Sequence, residues 1–181
     1  MTKYGIVVGS IKKNSYSEAV AKSIVKGLPT DSIVTYLTIK DLPLYNQDYD
    51  EKSPDKYIKF RKEVADQDAF IFVTPEHNRS IPAALKNALD IASRPFSENA
   101  WANKPALVAS QSVSGISGAL ANHVLRQSLV ILDMPTMQQP DIYIGHSNEL
   151  FDGNLNLLMK EQLSFYLMLD DNLANSLPNY V

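Results

Sequence analysis

The chain has 181 residues, 45% of them hydrophobic and 20% charged, which excludes a disordered or fibrous protein and predicts one globular domain over 1–181. Seventeen Lys and Arg against twenty Asp and Glu leave a net charge of −3, without the basic field that nucleic-acid binding uses. The absence of cysteine removes disulfides, thiolate nucleophiles and zinc–cysteine sites together.

The apolar run Tyr4 to Val8, ended by Gly9 and Ser10, suits a buried strand. Ser17 to Leu28 carries Ala19, Val20, Ile24 and Leu28 at helical spacing and stops near Gly27 and Pro29. A second strand is expected over Ile33 to Ile39, and a charged helix over Pro54 to Gln67. The third strand, Ala69 to Thr74, leads to a helix over Ile81 to Ser93 in which Leu85, Ala88, Leu89 and Ala92 form one stripe. A fourth strand is expected over Ala106 to Ser110, a helix over Gly118 to Leu132, and a fifth strand over Thr136 to Ile144. Leu155, Leu158, Met159, Leu163, Tyr166 and Leu167 mark a last amphipathic helix.

Short apolar strands alternating with helices argue for a parallel sheet covered on both faces. Five such units predict an α/β doubly wound sheet of order 2-1-3-4-5, with helices on both faces and ligands beyond the carboxyl ends of strands one, three and four. No stretch approaches the roughly 20 apolar residues of a membrane span, and the N-terminus lacks a signal-peptide core. A cytoplasmic protein is the expectation.

The loop after strand one, "GSIKKNSYS", sets Gly9, Ser10, Asn14, Ser15 and Ser17 at a helix start beside Lys12 and Lys13. Hydroxyls, unpaired amides and ammonium groups together suit a phosphate, an ordinary cap with two solvated lysines being the plainer alternative. Neither G-x-x-x-x-G-K-[ST] nor G-x-G-x-x-G is present, so a smaller phosphate group is implied. After strand three, Pro75 fixes a turn, Ser80 is a candidate cap for the next helix, and Pro82 fits its first turn. Glu76, His77, Asn78 and Arg79 have no such local reason, although Glu76 with Arg79 or Lys86 makes a plausible ion pair. His77 has no visible partner for acid–base work, and His123 and His146 stand alone in sequence, so neither a catalytic side chain nor a metal site is assigned. The third loop, Ser110 to Gly118, is small enough for backbone amides to approach a flat ligand.

These three loops together resemble the NAD(P)H-dependent FMN reductases of flavodoxin-like fold, a family that includes quinone, azo-dye and chromate reductases. Members carry G-S-x-R-x-x-S-x-N after strand one; here Gly9, Ser10 and Ser15 match, Lys12 replaces the arginine and Ser17 the asparagine. Their P-E-Y-N-x-S-x-P-x-x-L-K-N-x-x-D-x-x-S-R-P is matched nearly throughout by "PEHNRSIPAALKNALDIASRP", with His77 for the tyrosine. The segment from Lys104 to Gly145 is also similar, with Ser112 and Gly115 aligned and Ser114 where glycine is common.

The resemblance implies FMN with its phosphate at Ser10, Lys12, Ser15, Tyr16 and Ser17. Its ring would lie near Pro75, Glu76, His77, Asn78 and Ser80, and its pyrimidine end along Ser112, Val113, Ser114 and Gly115. It also implies hydride transfer from NADPH or NADH to FMN, then electron transfer to a flavin, quinone, azo or similar small acceptor by ping-pong kinetics. A flavodoxin-type electron carrier is the alternative, disfavoured by the two loop lysines and the near-neutral charge. The apolar set Leu120, Val124, Leu125, Leu129, Ile131 and Leu132 is wider than one core-facing stripe, and the family generally dimerises. A homodimer is therefore expected, with pairing into a tetramer left open.

Overall fold

The computed structural model describes residues 1–158. Five parallel strands, β1 (Lys3–Val8), β2 (Ile33–Tyr36), β3 (Ala69–Pro75), β4 (Ala106–Gln111) and β5 (Ile142–Ile144), form a sheet of order β2-β1-β3-β4-β5. Alternation along β3 sends Phe70 and Phe72 to one face of the sheet and Ile71 and Val73 to the other, all of them buried. Helix α1 (Tyr16–Val25) packs on the second face through Val20 and Ile24. Helices α2 (Asp55–Ala65), α3 (Ala83–Ala92) and α4 (Ala119–Ile131) cover the first. Both sides of the central strands are thereby dry, which is why their sequences read as continuous apolar runs.

Polar side chains fix the surrounding loops. Buried Asn87 of α3 accepts the Tyr45 N–H at 2.7 Å and donates to the Pro43 carbonyl at 2.9 Å. Lys104 closes the carboxyl end of α2, its ammonium donating to the carbonyls of Val64, Ala65 and Gln67. The wholly buried Trp101 packs edge-on against Phe60 and Phe70 and donates Nε1–H to the Leu89 carbonyl at 3.1 Å.

Several elements are shorter than their patterns predict. β2 stops at Tyr36, because the register that pairs it with Ile6 brings the chain to the end of β1 within two residues. Leu37 and Ile39, expected in the strand, are instead buried from irregular chain, although the Leu37 N–H still reaches the Ile6 carbonyl at 2.9 Å. β5 is confined to Ile142–Ile144, with a separate bridge from Thr136 to Ala106. Pro140 lies between the two and has no N–H to give a ladder. The last expected helix falls mainly on residues outside those described, and Leu155 and Leu158 are not helical. A four-residue helix, α5 (Ser147–Leu150), follows β5 without a sequence signal. The broad apolar set of α4 divides: Leu125 and Leu129 are buried, whereas Ile131 and its neighbour Val130 are 84% and 74% exposed. No helix among the described residues is long and apolar enough to cross a membrane.

Candidate functional site

The carboxyl ends of β1, β3 and β4 carry the three loops singled out above. After β1, the Gly9 N–H reaches the Val73 carbonyl at 2.8 Å. A Cβ at Gly9 would sit 3.1 Å from both Leu85 Cδ2 and Thr74 Oγ1, so glycine lets the loop leave between β3 and α3. Ser15 is the N-cap of α1, its Oγ accepting the Glu18 N–H at 3.1 Å. Asn14 takes the left-handed conformation just before it, with φ 52°. Ser10 Oγ accepts the Lys12 N–H at 3.3 Å, and the Lys12 and Lys13 side chains extend into solvent. Tyr16 stacks on Phe151 at a centroid distance of 6.2 Å.

Ser17 departs from expectation. Its side chain is wholly buried, and its Oγ accepts Gln111 Nε2–H at 2.8 Å, so its hydroxyl does not join the anion-facing donors of the loop. The position on the first turn of α1 turns it toward the sheet, where the end of β4 supplies a partner. Gln111 Oε1 in turn accepts the Ser147 hydroxyl at 2.7 Å. Gln111 and Ser147 carried no signal in the sequence beyond being polar at element ends.

After β3, His77 and Ser80 pair reciprocally through their backbones at 2.9 Å. Asn78 and Arg79 between them both have positive φ, 50° and 64°, making a two-residue hairpin turn of the primed kind. His77, Asn78 and Arg79 are consequently exposed at the rim. Ser80 is used in this turn and does not cap α3; the N-cap position is Pro82, without a side-chain bond. The hairpin closes at Ser80, which leaves it two residues before the N-cap position.

Glu76 is the one loop acid turned inward, with its side chain 11% exposed. Its Oε2 accepts the Leu120 and Ala121 N–H groups at 3.1 and 3.3 Å, and its Oε1 lies 3.3 Å from Arg79 Nη1. The N-cap of α4 is Gly118, at φ 72° and with no side chain to offer, so Glu76 supplies the missing acceptor from another loop. In the sequence Glu76 reads locally only as an ion-pair partner and this role is missed; a helix beginning "SGAL" without its own capping side chain is the available signal.

The third loop is tied to itself and to β5. Ser110 Oγ donates to the Ser117 carbonyl at 2.9 Å, Ser112 Oγ accepts the Ser114 N–H at 3.1 Å, and Ser117 Oγ donates to the Gly115 carbonyl at 3.1 Å. Backbone bonds from Ser112 to Ile144 and from Ser147 to Ser112 hold its base. Val113, Ser114 and Gly115 are left exposed at its tip. A Cβ on Gly115 would stand 3.4 Å from His146 Nε2, which places that histidine at the rim although sequence isolated it.

The cleft thus has a cation and hydroxyls at a helix start on one side, and small, peptide-rich loops on the other. That donor set fits the phosphate and flat ring of FMN: Ser10, Lys12, Ser15 and the first amides of α1 suit the phosphate, and the tips around Pro75 to Asn78 and Ser112 to Gly115 suit the ring. Among the described residues no group of three His, Asp or Glu side chains stands together as a metal site.

Comparison with known proteins agrees with this chemistry. The chain is 49% identical over 154 residues to a quinone reductase of Pseudomonas putida, covering 83% of each chain. It is 37% identical over 172 residues to a 2-hydroxy-1,4-benzoquinone reductase of a Burkholderia species, covering 95% of this chain and 94% of the relative. FerB, a flavoenzyme NAD(P)H:(acceptor) oxidoreductase from Paracoccus denitrificans, superposes with a TM-score of 0.86 at 28% identity, over 99% of this chain and 97% of that one. Residues 2–149 match the family described as NADPH-dependent FMN reductase. On these grounds the chain belongs to the NADPH-dependent FMN reductase family and is an oxidoreductase.

Proposed function

We propose that the protein oxidises NADPH or NADH on FMN held between the three loops and passes the electrons to a small quinone-type acceptor. The observation that carries this is the mutual bracing of the loops: Glu76 ties the second to α4, and Gln111 ties the first helix to the segment after β5. Preorganised donors lose little freedom when a ligand binds. Names of the two relatives, a quinone reductase and a 2-hydroxy-1,4-benzoquinone reductase, favour a quinone over other acceptors.

The bound flavin supplies the hydride and electron chemistry. The protein's residues bind and orient. Ser10, Lys12, Ser15 and the α1 amides neutralise the phosphate, and the exposed tips of the other two loops hold the ring edge with peptide groups. No side chain is given an acid or base role. Donor and acceptor use one cleft in turn, so one product leaves before the second substrate enters. We further assign the working form as a homodimer in the cytoplasm, the exposed Val130 and Ile131 of α4 contributing apolar surface to the pairing.

The test is a visible spectrum of the FMN-loaded protein before and after NADPH or NADH without oxygen. Rapid bleaching is expected; a flavin that neither nicotinamide bleaches would identify an electron carrier instead. Initial velocities against NADPH and a quinone should give parallel lines, and intersecting lines would sink the proposed order of events.

A further inference from the structure

Beside the cleft, a groove of about 460 Å³ opens between the first loop, α1 and the chain that leaves β2. It exists because α1 covers Ile6 but stops short of the sheet edge. Tyr36, which pairs with Ile6 in register, therefore keeps 44% of its surface exposed. The ring of Tyr36 and the side chain of Ile11 give the groove an apolar, partly aromatic lining.

Its charge is the reverse of the chain's. Lys12, Lys13, Lys22 and Lys40 line the groove against one carboxylate, Glu18, in a protein of net charge −3. Glu18 is committed to Lys22 at 2.6 Å. Lys13 and Lys40 have no ion-pair partner among the described residues. Unanswered ammonium groups around an aromatic surface suit a flat, weakly polar ring that carries a compact dianion. Phosphorylated adenosine has that chemistry. Ser10 and Lys12 belong both to the groove and to the phosphate loop, so a ligand here is continuous with the FMN site.

We infer that this groove receives the adenosine end of NADPH, with the purine on Tyr36 and the 2′-phosphate between Lys13 and Lys40. The inference rests on the reductase reading above and makes it specific for NADPH over NADH. The two arginines nearest the hairpin and α3 are less available: Arg79 pairs with Glu76 at 3.3 Å, and Arg94 lies 4.0 Å from Asp50.

The experiment uses the FMN-loaded protein and its Lys13→Ala, Lys40→Ala double variant. Both lysines are exposed and outside the core, and an unchanged flavin spectrum in the variant checks that the cofactor site is intact. Calorimetric titration with adenosine 2′,5′-bisphosphate, with AMP as control, reads the groove directly. The double variant should bind the bisphosphate on the order of tenfold more weakly and AMP nearly as before. In kinetics, KM for NADPH should rise by a similar factor while KM for NADH stays put. Equal bisphosphate affinity in the two proteins, or displacement of FMN by the bisphosphate, overturns the groove and leaves the reductase reading standing. A flavin that neither nicotinamide bleaches overturns the reductase reading, and the assignment of NADPH to the groove with it.

Discussion

The Glu76 carboxylate accepts the Leu120 N–H at 3.1 Å across 44 positions of sequence, joining the loop after β3 to the start of α4. Replacing it by alanine removes the acceptor from a helix whose own N-cap is glycine. Glu76→Ala should cost about 1–2 kcal/mol in urea unfolding, and Glu76→Gln, which keeps one oxygen, less. FMN affinity, read by flavin fluorescence, should weaken in parallel because the neighbouring peptide groups lose their anchor. An alanine variant with the original unfolding midpoint would show the cap to be idle.

Lys12 carries the charge expected at the phosphate without the planar fork of an arginine. Lys12→Arg should tighten FMN binding by several-fold, measured by the same fluorescence titration, with no change in the bleaching spectrum. Unaltered affinity would place Lys12 away from the phosphate.

Val130 and Ile131 end α4 with 74% and 84% of their surface open, beyond a helix whose Leu125 and Leu129 are fully buried. If this surface pairs two copies, the double change Val130→Glu, Ile131→Glu should convert a dimer to a monomer in sedimentation velocity. The core-facing stripe is untouched, so thermal unfolding of the monomer should remain cooperative. A variant that sediments as the dimer does would move the interface elsewhere.

Tyr57 is buried, and its hydroxyl donates to the Leu44 carbonyl at 2.6 Å. Burial pushes its phenol above the ordinary value. An unfolded tyrosine ionises near pH 10, so above about pH 10 the unfolded chain releases a proton that the folded one keeps, and stability falls as pH rises. Tyr57→Phe should be less stable by about 1 kcal/mol at neutral pH yet show a shallower alkaline decline in urea midpoint. An identical decline would assign the effect to other tyrosines.

The strands at the sheet centre were legible because burial on both faces leaves an uninterrupted apolar run, as in Phe70 to Val73. At the edges the same cue fails. Leu37 and Ile39 are as apolar as strand residues but reach the core from irregular chain beyond Tyr36, where β2 ends. Pro140 separates two short pairings that read as one strand. The three loops were legible from their position after β1, β3 and β4 and from their crowded polar residues. Side-chain direction within them was not, since it depends on distant partners: Ser17 turns to Gln111, 94 positions away, and Ser80 is taken by a hairpin that Asn78 and Arg79 form only at positive φ.

Gln111 bonds to one hydroxyl on α1 and one at the start of α5, and all three residues are buried. A primary amide has no charge to lose across the working pH range, so this link does not titrate. The spacing between the first turn of α1 and the start of α5 is thereby insulated from acidity. Any pH dependence of turnover then does not arrive through the tie between α1, β4 and α5.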